Sequence, residues 1–293
     1  MKKLFIKTLQ VLAVLYFFIA VSCKGVEPAE IMLSVAEMPG SFTPAQHLVF
    51  IGLDGWGGAF MSRANMPTVK RMMAQGVSSL NIRCIMPSIS WPNWSALFSG
   101  ASPEDQNIDP FPTIFTLVNE QRSRPALFYE WNDLQNICSD ETAEKIRILS
   151  DLESAQRAAV YIMENKPVFT AVVFNEPDSV GHNKGWGTRA YYTKLNELDS
   201  YMAIIEQAVK DAGIYDNTVF VLSSDHGGLL WGHGFNMVSH RRIPLVVYGS
   251  IIREGFVIPG SGSICDIAPT MAAILGLDIP GEWTGRPILG VFK

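Results

Sequence analysis

Three apolar runs that each stop at an aspartate restrict this chain more than any other feature. They read Leu48-Val-Phe-Ile-Gly-Leu-Asp54, Phe169-Thr-Ala-Val-Val-Phe-Asn-Glu-Pro-Asp178 and Val219-Phe-Val-Leu-Ser-Ser-Asp225. Short, continuous apolar runs rich in β-branched and aromatic residues suit strands buried on both faces, as in a parallel sheet flanked by helices. In such folds the ligand lies beyond the carboxyl ends of the strands. The three aspartates therefore aim at one place, and His182, His226 and His233 follow close behind them. Carboxylates mixed with imidazoles suit two closely spaced zinc-like cations, as in a two-metal hydrolase.

The remaining pattern alternates strand with helix. Strands are expected at 48–54, 77–84, 126–129, 168–174, 218–223 and 243–248. Pro67 opens a helix bearing Val69, Met72 and Met73, and Gly76 stops it. Tyr191, Leu195, Leu198, Met202, Ile205 and Val209 put one apolar stripe along the longest helix, which Gly213 ends. Residues 266–275 read as a closing helix capped by Gly276. With no internal repeat, low-complexity stretch or long insertion, the pattern predicts one α/β domain over 46–293.

The first 22 residues are a different object. Lys2, Lys3 and Lys7 precede an apolar run over 11–21 that closes on Ala20-Val21-Ser22-Cys23. That layout predicts a secretory signal, and the run is too short for a good spanning helix. The cysteine directly after it predicts a lipobox, with Ala20 where leucine is usual, and acylation of Cys23. A plain signal peptide is the alternative. Residues 24–45, with Pro28, Pro39, Gly40, Ser41 and Pro44, read as a tether. The implied product is an exported bacterial lipoprotein, periplasmic or anchored to the outer membrane, touching lipid only through its N-terminal anchor.

Export removes three lysines and leaves 20 basic against 28 acidic residues, a net charge of about −8. No basic run exceeds Arg241-Arg242. A grip on long nucleic acid needs a basic surface, so a small phosphate ester is the expected partner. Cys84, Cys138 and Cys265 are odd in number and lack C-x-x-C spacing. A disulfide in an oxidising compartment and buried free thiols both remain open.

Between the first two aspartates lies Met86-Pro87-Ser88-Ile89-Ser90-Trp91-Pro92-Asn93-Trp94-Ser95. Ser90 falls at or just before a helix N-terminus, where Pro92 is tolerated and free N–H groups receive anions. Ser90 is the expected nucleophile and Asn93 an expected donor to a phosphoryl oxygen. Alone, S-x-P-N matches ordinary helix capping; the surrounding aspartates and histidines give it weight.

From Val49 to the C-terminus the chain resembles the alkaline phosphatase superfamily, in its nucleotide pyrophosphatase/phosphodiesterase branch. The carriers are Asp54, Ser90-Trp91-Pro92-Asn93 (T-F-P-N in the branch), Glu176-Pro177-Asp178-Ser179-Val180-Gly181-His182, Ser224-Asp225-His226-Gly227 and His233-Gly234. The resemblance implies an alkaline-phosphatase-like three-layer sandwich with a mostly parallel central sheet and helices on both faces. It implies one zinc on Asp54, Ser90, Asp225 and His226, and a second on Asp178, His182 and His233. Manganese or iron would tolerate the same ligands. It also implies attack by Ser90 on phosphorus, a phosphoserine intermediate, and hydrolysis by a metal-activated water.

In larger relatives a long insertion separates S-D-H-G from the final H-G; here the two lie close together, as in smaller sulfatase-like members. Trp91 stands where an aromatic packs on the leaving group, and stacking on substrate or burial in the core are both open to it. Tyr129-Glu130-Trp131-Asn132 is placed to line the same mouth, while His240 and His47 read as non-ligand residues. No arginine occurs between Ser90 and Arg122, which favours diesters over monoesters and argues against sulfate esters. A phosphomonoesterase or phosphonate hydrolase on the same core, and a ligand-binding lipoprotein without catalysis, are the competing readings.

Overall fold

The computed structural model describes residues 43–293. The signal peptide, Cys23 and nearly all of the tether lie outside these residues. Eight strands form one sheet, ordered β4-β3-β5-β1-β6-β7-β2-β8. They are β1 (His47–Leu53), β2 (Val77–Arg83), β3 (Ala126–Tyr129), β4 (Glu144–Arg147), β5 (Phe169–Phe174), β6 (Thr218–Ser223), β7 (Arg242–Gly249) and β8 (Phe256–Val257). β1 pairs parallel with β5 and β6, β3 parallel with β5, and β7 antiparallel with both β6 and β2.

Alternation along β1 divides the interior, because successive side chains point to opposite faces. Leu48 and Phe50 join a core with Trp94, Phe98, Phe115 and Met271; Val49, Ile51 and Leu53 join another with Val69, Met72, Leu195 and Met202. The first core is covered by α2 (Ser90–Ser99), α3 (Ile114–Gln121) and α8 (Ile267–Leu275). The second is covered by α1 (Pro67–Gln75), α4 (Asp151–Asn165) and α6 (Arg189–Asp211). Two shorter helices, α5 (Asp178–Lys184) and α7 (Val238–Arg241), lie among the loops that follow β5 and β6. The result is a three-layer α/β sandwich with a mostly parallel sheet, as expected.

The termini of the helices follow local chemistry. Pro67 stands at the start of α1, and the hydroxyls of Ser150 and Thr188 accept N–H bonds at the starts of α4 and α6. Gly276 closes α8 in the left-handed region at φ 66°. Two short strands, β4 and β8, and the helices α3 and α4 add to the elements read from the sequence. β7 also runs against its neighbours, which an apolar run cannot reveal because it reads alike in both directions.

Register places the chemistry. Leu53 pairs with Phe174 and Gly52 with Ser223, so β5, β1 and β6 end side by side. Asp54, the turn leading to Asp178, and Asp225-His226 therefore leave the sheet at one edge. The described chain enters at the other edge, where Ala45 N donates to Ile274 O and Gln46 N to Asn217 O.

Candidate active site

Asp54, Asp225 and His226 are wholly or almost wholly buried, and their ligand atoms lie within 4.8 Å of one another; so do those of Asp178, His182 and His233. The six residues thus form two half-sites. They touch through His226 and His233, whose rings stack with centroids 3.8 Å apart. Ser90 Oγ stands 3.4 Å from Asp54 Oδ1 and 3.2 Å from His226 Nε2, at the first residue of α2.

The histidine tautomers follow from their partners. Nδ1 of His182 faces Trp231 O at 3.0 Å, that of His226 faces Gly227 O at 3.0 Å, and that of His233 faces Ser88 O at 2.9 Å. A carbonyl only accepts, so each Nδ1 carries the proton and each Nε2 presents a lone pair inward. His182 Nε2 and His233 Nε2 lie 3.0 Å apart. Two lone pairs that close repel unless a cation lies against both.

The carboxylates are crowded as well. Burial, reinforced by the charges of Asp225 and Asp178, holds the Asp54 carboxyl far above the usual range. Asp225 is pushed up to about 7, chiefly by burial and then by Asp178. Burial raises Asp178 too, and drives His226 well below the usual imidazole value. Asp225 Oδ2 and Asp178 Oδ1 are buried without a hydrogen-bond partner. Orphaned carboxylate oxygens facing imidazole lone pairs are what a pair of divalent cations would satisfy, so the donor set fits the expected metals.

One glycine lets the three aspartates approach. Gly55 has φ 72°, and a side chain there would meet Asp178 Cα, Cβ and Oδ1 at 3.0 Å. Its N–H donates to Asp225 Oδ1 at 3.1 Å, and its carbonyl accepts from Trp186 Nε1 and Tyr191 Oη, each at 2.9 Å. Trp56 N donates to Ser224 Oγ at 2.9 Å. On the other side, Asp151 at the start of α4 accepts from Asn175 N (3.0 Å) and Glu176 N (3.3 Å), fixing the turn that delivers Asp178.

Two sequence-based roles change. Asn93 is fully buried. Its Oδ1 accepts from Ile85 N at 2.8 Å, while Nδ2 donates to Pro87 O at 3.1 Å and Ile89 O at 2.9 Å. With its amide committed to the loop before Ser90, Asn93 braces that loop rather than offering a free N–H to a phosphoryl oxygen. Trp91 is 37% exposed beside Ser90, which removes the core reading. The buried tryptophan is Trp94, whose Nε1 donates to Asp54 Oδ2 at 3.1 Å. Neither Trp94 nor Ser88, Trp186 or Asp151 carries a sequence signal, because each looks like an ordinary core or cap residue.

The outlying positions fall away from the ligands. Tyr129 is buried and Trp131 packs against a core cluster. His240 is buried, with Nδ1 accepting from Phe235 N at 3.2 Å; His47 bonds Pro167 O at 2.9 Å. Cys84, Cys138 and Cys265 are free thiols, and burial pushes the first two up to about 12.

A family model described as type I phosphodiesterase / nucleotide pyrophosphatase matches residues 48–108 and 112–230. The chain belongs to that family. The match takes in Asp54, Ser90, Asp178, His182, Asp225 and His226 and stops just short of His233. Ectonucleotide pyrophosphatase/phosphodiesterase family member 1 of Mus musculus is 23% identical over 239 residues, covering 67% of this chain and 25% of the relative. A 2,3-bisphosphoglycerate-independent phosphoglycerate mutase of Gloeobacter violaceus is 32% identical over 139 residues, covering 42% and 24%. The chain spans about a quarter of the length of these curated relatives. Among solved structures, murine ectonucleotide pyrophosphatase / phosphodiesterase 5 matches at TM-score 0.71 and 11% identity, covering 85% of this chain and 100% of that chain. A 2-O GAG sulfatase matches at TM-score 0.70 and 15% identity, covering 83% and 73%. These likenesses show a shared fold.

Proposed function

We propose that this family member is a two-metal hydrolase of small phosphodiesters or nucleotide pyrophosphates, acting through Ser90. The observation that carries the reading is the placement of Ser90 Oγ against Asp54 and His226, at a helix N-terminus. Asp54, Ser90, Asp225 and His226 would hold one zinc ion, and Asp178, His182 and His233 the other. Such ions lower the pKa of a bound hydroxyl or water and neutralise charge on a transferring phosphoryl group.

The protein's own groups set up the displacement. Trp94 and the Asn93-braced loop fix Asp54 and Ser90 relative to each other. Ile89, the residue before α2, offers no side-chain cap. In the first turn of α2 the N–H groups of Ser90 and Trp91 are therefore uncapped and can receive a phosphoryl oxygen, Pro92 having none. Ser90 Oγ attacks phosphorus and one ester or anhydride oxygen leaves with its substituent; water then cleaves the bond between Ser90 and the phosphoryl group, regenerating the hydroxyl and releasing the phosphomonoester that keeps the other substituent. Exposed Trp91 lies where it can stack on the departing group. In support, an inactive variant of murine ectonucleotide pyrophosphatase / phosphodiesterase 5 was solved in complex with AMP.

The test compares zinc-loaded protein with a Ser90→Ala variant on bis-p-nitrophenyl phosphate, p-nitrophenyl phosphate and p-nitrophenyl sulfate. Diester cleavage that vanishes in the variant is expected. A preference for the monoester would move the enzyme to the phosphatase reading, and turnover that survives Ser90→Ala would remove the nucleophile.

We also propose that Cys23 is acylated and that the protein is an exported lipoprotein, a single catalytic domain over 46–293 behind its tether. The basic start at Lys2, Lys3 and Lys7, the short apolar run over 11–21 and Cys23 directly after Ala20-Val21-Ser22 support this. Incorporation of labelled palmitate that is lost in Cys23→Ala is the expected result.

A further inference from the structure

A second charged cluster lies at the ligand-bearing edge of the sheet, outside the two half-sites. Antiparallel pairing sets Arg83, the last residue of β2, opposite Arg242, the first of β7. Arg241 precedes Arg242, and its carbonyl accepts from Cys84 N at 3.0 Å. The same stretch abuts the metal-ligand segment, because Gly227 N donates to His240 O at 2.7 Å. Arg241 and Arg242 therefore stand at the strand next to β6, which leads to Asp225 and His226, and Arg83 at the strand beyond it.

Their charge is uncompensated. Among the described residues, no carboxylate oxygen lies within 4.0 Å of any of the three guanidinium groups. Arg241 donates only to neutral oxygens: Nε and Nη2 to Cys84 O, both at 3.3 Å, and Nη1 to Asn236 Oδ1 at 3.0 Å. Nε of Arg83 and Nε of Arg242 are buried without a hydrogen-bond partner. Burial, then the charges of Arg242 and Arg241, holds the Arg83 guanidinium below its ordinary value. Like charges packed together with unspent donors are unfavourable alone, and a planar fork of N–H groups is matched by an oxyanion.

We propose that Arg83, Arg241 and Arg242 form a subsite for a phosphate or pyrophosphate that the substrate carries beyond its scissile phosphorus. This rests on the hydrolase reading and narrows it, toward leaving groups that are themselves anionic. It also accounts for a compact member of the family without the family's larger insertions. The arginines supply a grip on the leaving group from the sheet edge. Trp91 and the arginines would then serve different parts of one substrate.

The test uses Arg83→Gln/Arg242→Gln in the zinc-loaded full chain. Steady-state constants are compared for a nucleoside 5′-triphosphate, whose leaving group is pyrophosphate, and a nucleoside 5′-(p-nitrophenyl phosphate), whose leaving group lacks phosphate. KM for the triphosphate is expected to rise about tenfold or more, the loss of one charged hydrogen bond, with the nitrophenyl ester little changed. Arg83→Lys is expected to recover part of the loss. Equal effects on both substrates, or none on the triphosphate, would overturn the subsite. Calorimetric titration with inorganic pyrophosphate and inorganic phosphate gives a readout independent of turnover. Weakening for pyrophosphate alone supports the subsite even if the hydrolase reading fails, and unchanged pyrophosphate affinity rejects it.

Discussion

The imidazole of His233 lies flat on that of His226, with ring planes 17° apart. One ring belongs to each half-site, so the two share a wall and neither set of ligands is positioned independently. Within the second set, His182 is held in turn by Trp231 O, and His233 by Ser88 O two residues before Ser90.

Removing metal should weaken the whole domain. The converging carboxylates lose their counter-charge, and a ligand at about a thousandfold excess over Kd stabilises by about 4 kcal/mol. Thermal melts with a chelator and with restored zinc measure this. In chelated protein at pH 8, Asp225→Asn should melt higher than wild type because it removes a buried, repelled carboxylate. A lower melting temperature would contradict the electrostatic account.

Trp94→Phe tests the support of Asp54. The ring volume is largely kept while the N–H bond to Asp54 Oδ2 is lost. Loss of such a partner typically costs about 10–100-fold in metal affinity or activity. Zinc competition against a chromophoric chelator should show that drop with unchanged far-ultraviolet dichroism; unaltered zinc affinity would assign Trp94 to packing alone.

Gly55→Ala should harm the site more than the fold. A left-handed backbone costs roughly 1–2 kcal/mol for an alanine, and its Cβ would press on Asp178. Urea unfolding should report the modest stability loss, while activity should fall by at least about tenfold. Activity falling only in proportion to the folded fraction would count against this role.

Asp151 supplies a pH dependence away from the ligands. Burial pushes its carboxyl from 3.8 to about 7, outweighing the two N–H bonds it accepts. The folded state thus holds a proton that the unfolded chain releases near pH 3.8. The stabilisation is complete below that pH and is lost as pH rises through about 7, by on the order of 4 kcal/mol. Urea unfolding from pH 4 to 8 should therefore show a flatter profile for Asp151→Asn than for wild type. Parallel profiles would remove Asp151 as the source.

The central strands were legible because burial on both faces demands unbroken apolar runs such as that of β1. The β4 sequence Glu-Lys-Ile-Arg lies at a sheet edge and carries no such demand, and β8 has two residues. The aspartates and histidines of the two half-sites stand out because a charged side chain at the end of an apolar strand needs a reason. Supporting residues did not, since the partners of Asp151, Ser88 and Trp186 lie 24 to 147 positions away in sequence. Asn93 was legible as part of a motif but not in direction, because only the folded loop shows where its amide points. The arginine cluster was half visible, as Arg241-Arg242; the β2–β7 pairing brings in Arg83.

The reversal of β7 has a consequence for how such a site can change over evolutionary time. A parallel strand would require a crossover packed on one face of the sheet, whereas residues 224–241 return along the same edge to an antiparallel partner. That one excursion supplies Asp225, His226, His233 and Arg241 without belonging to either core. The stretch between His226 and His233 can therefore change in length while both helical layers and the half-site residues stay as they are, which reshapes the mouth without touching the scaffold.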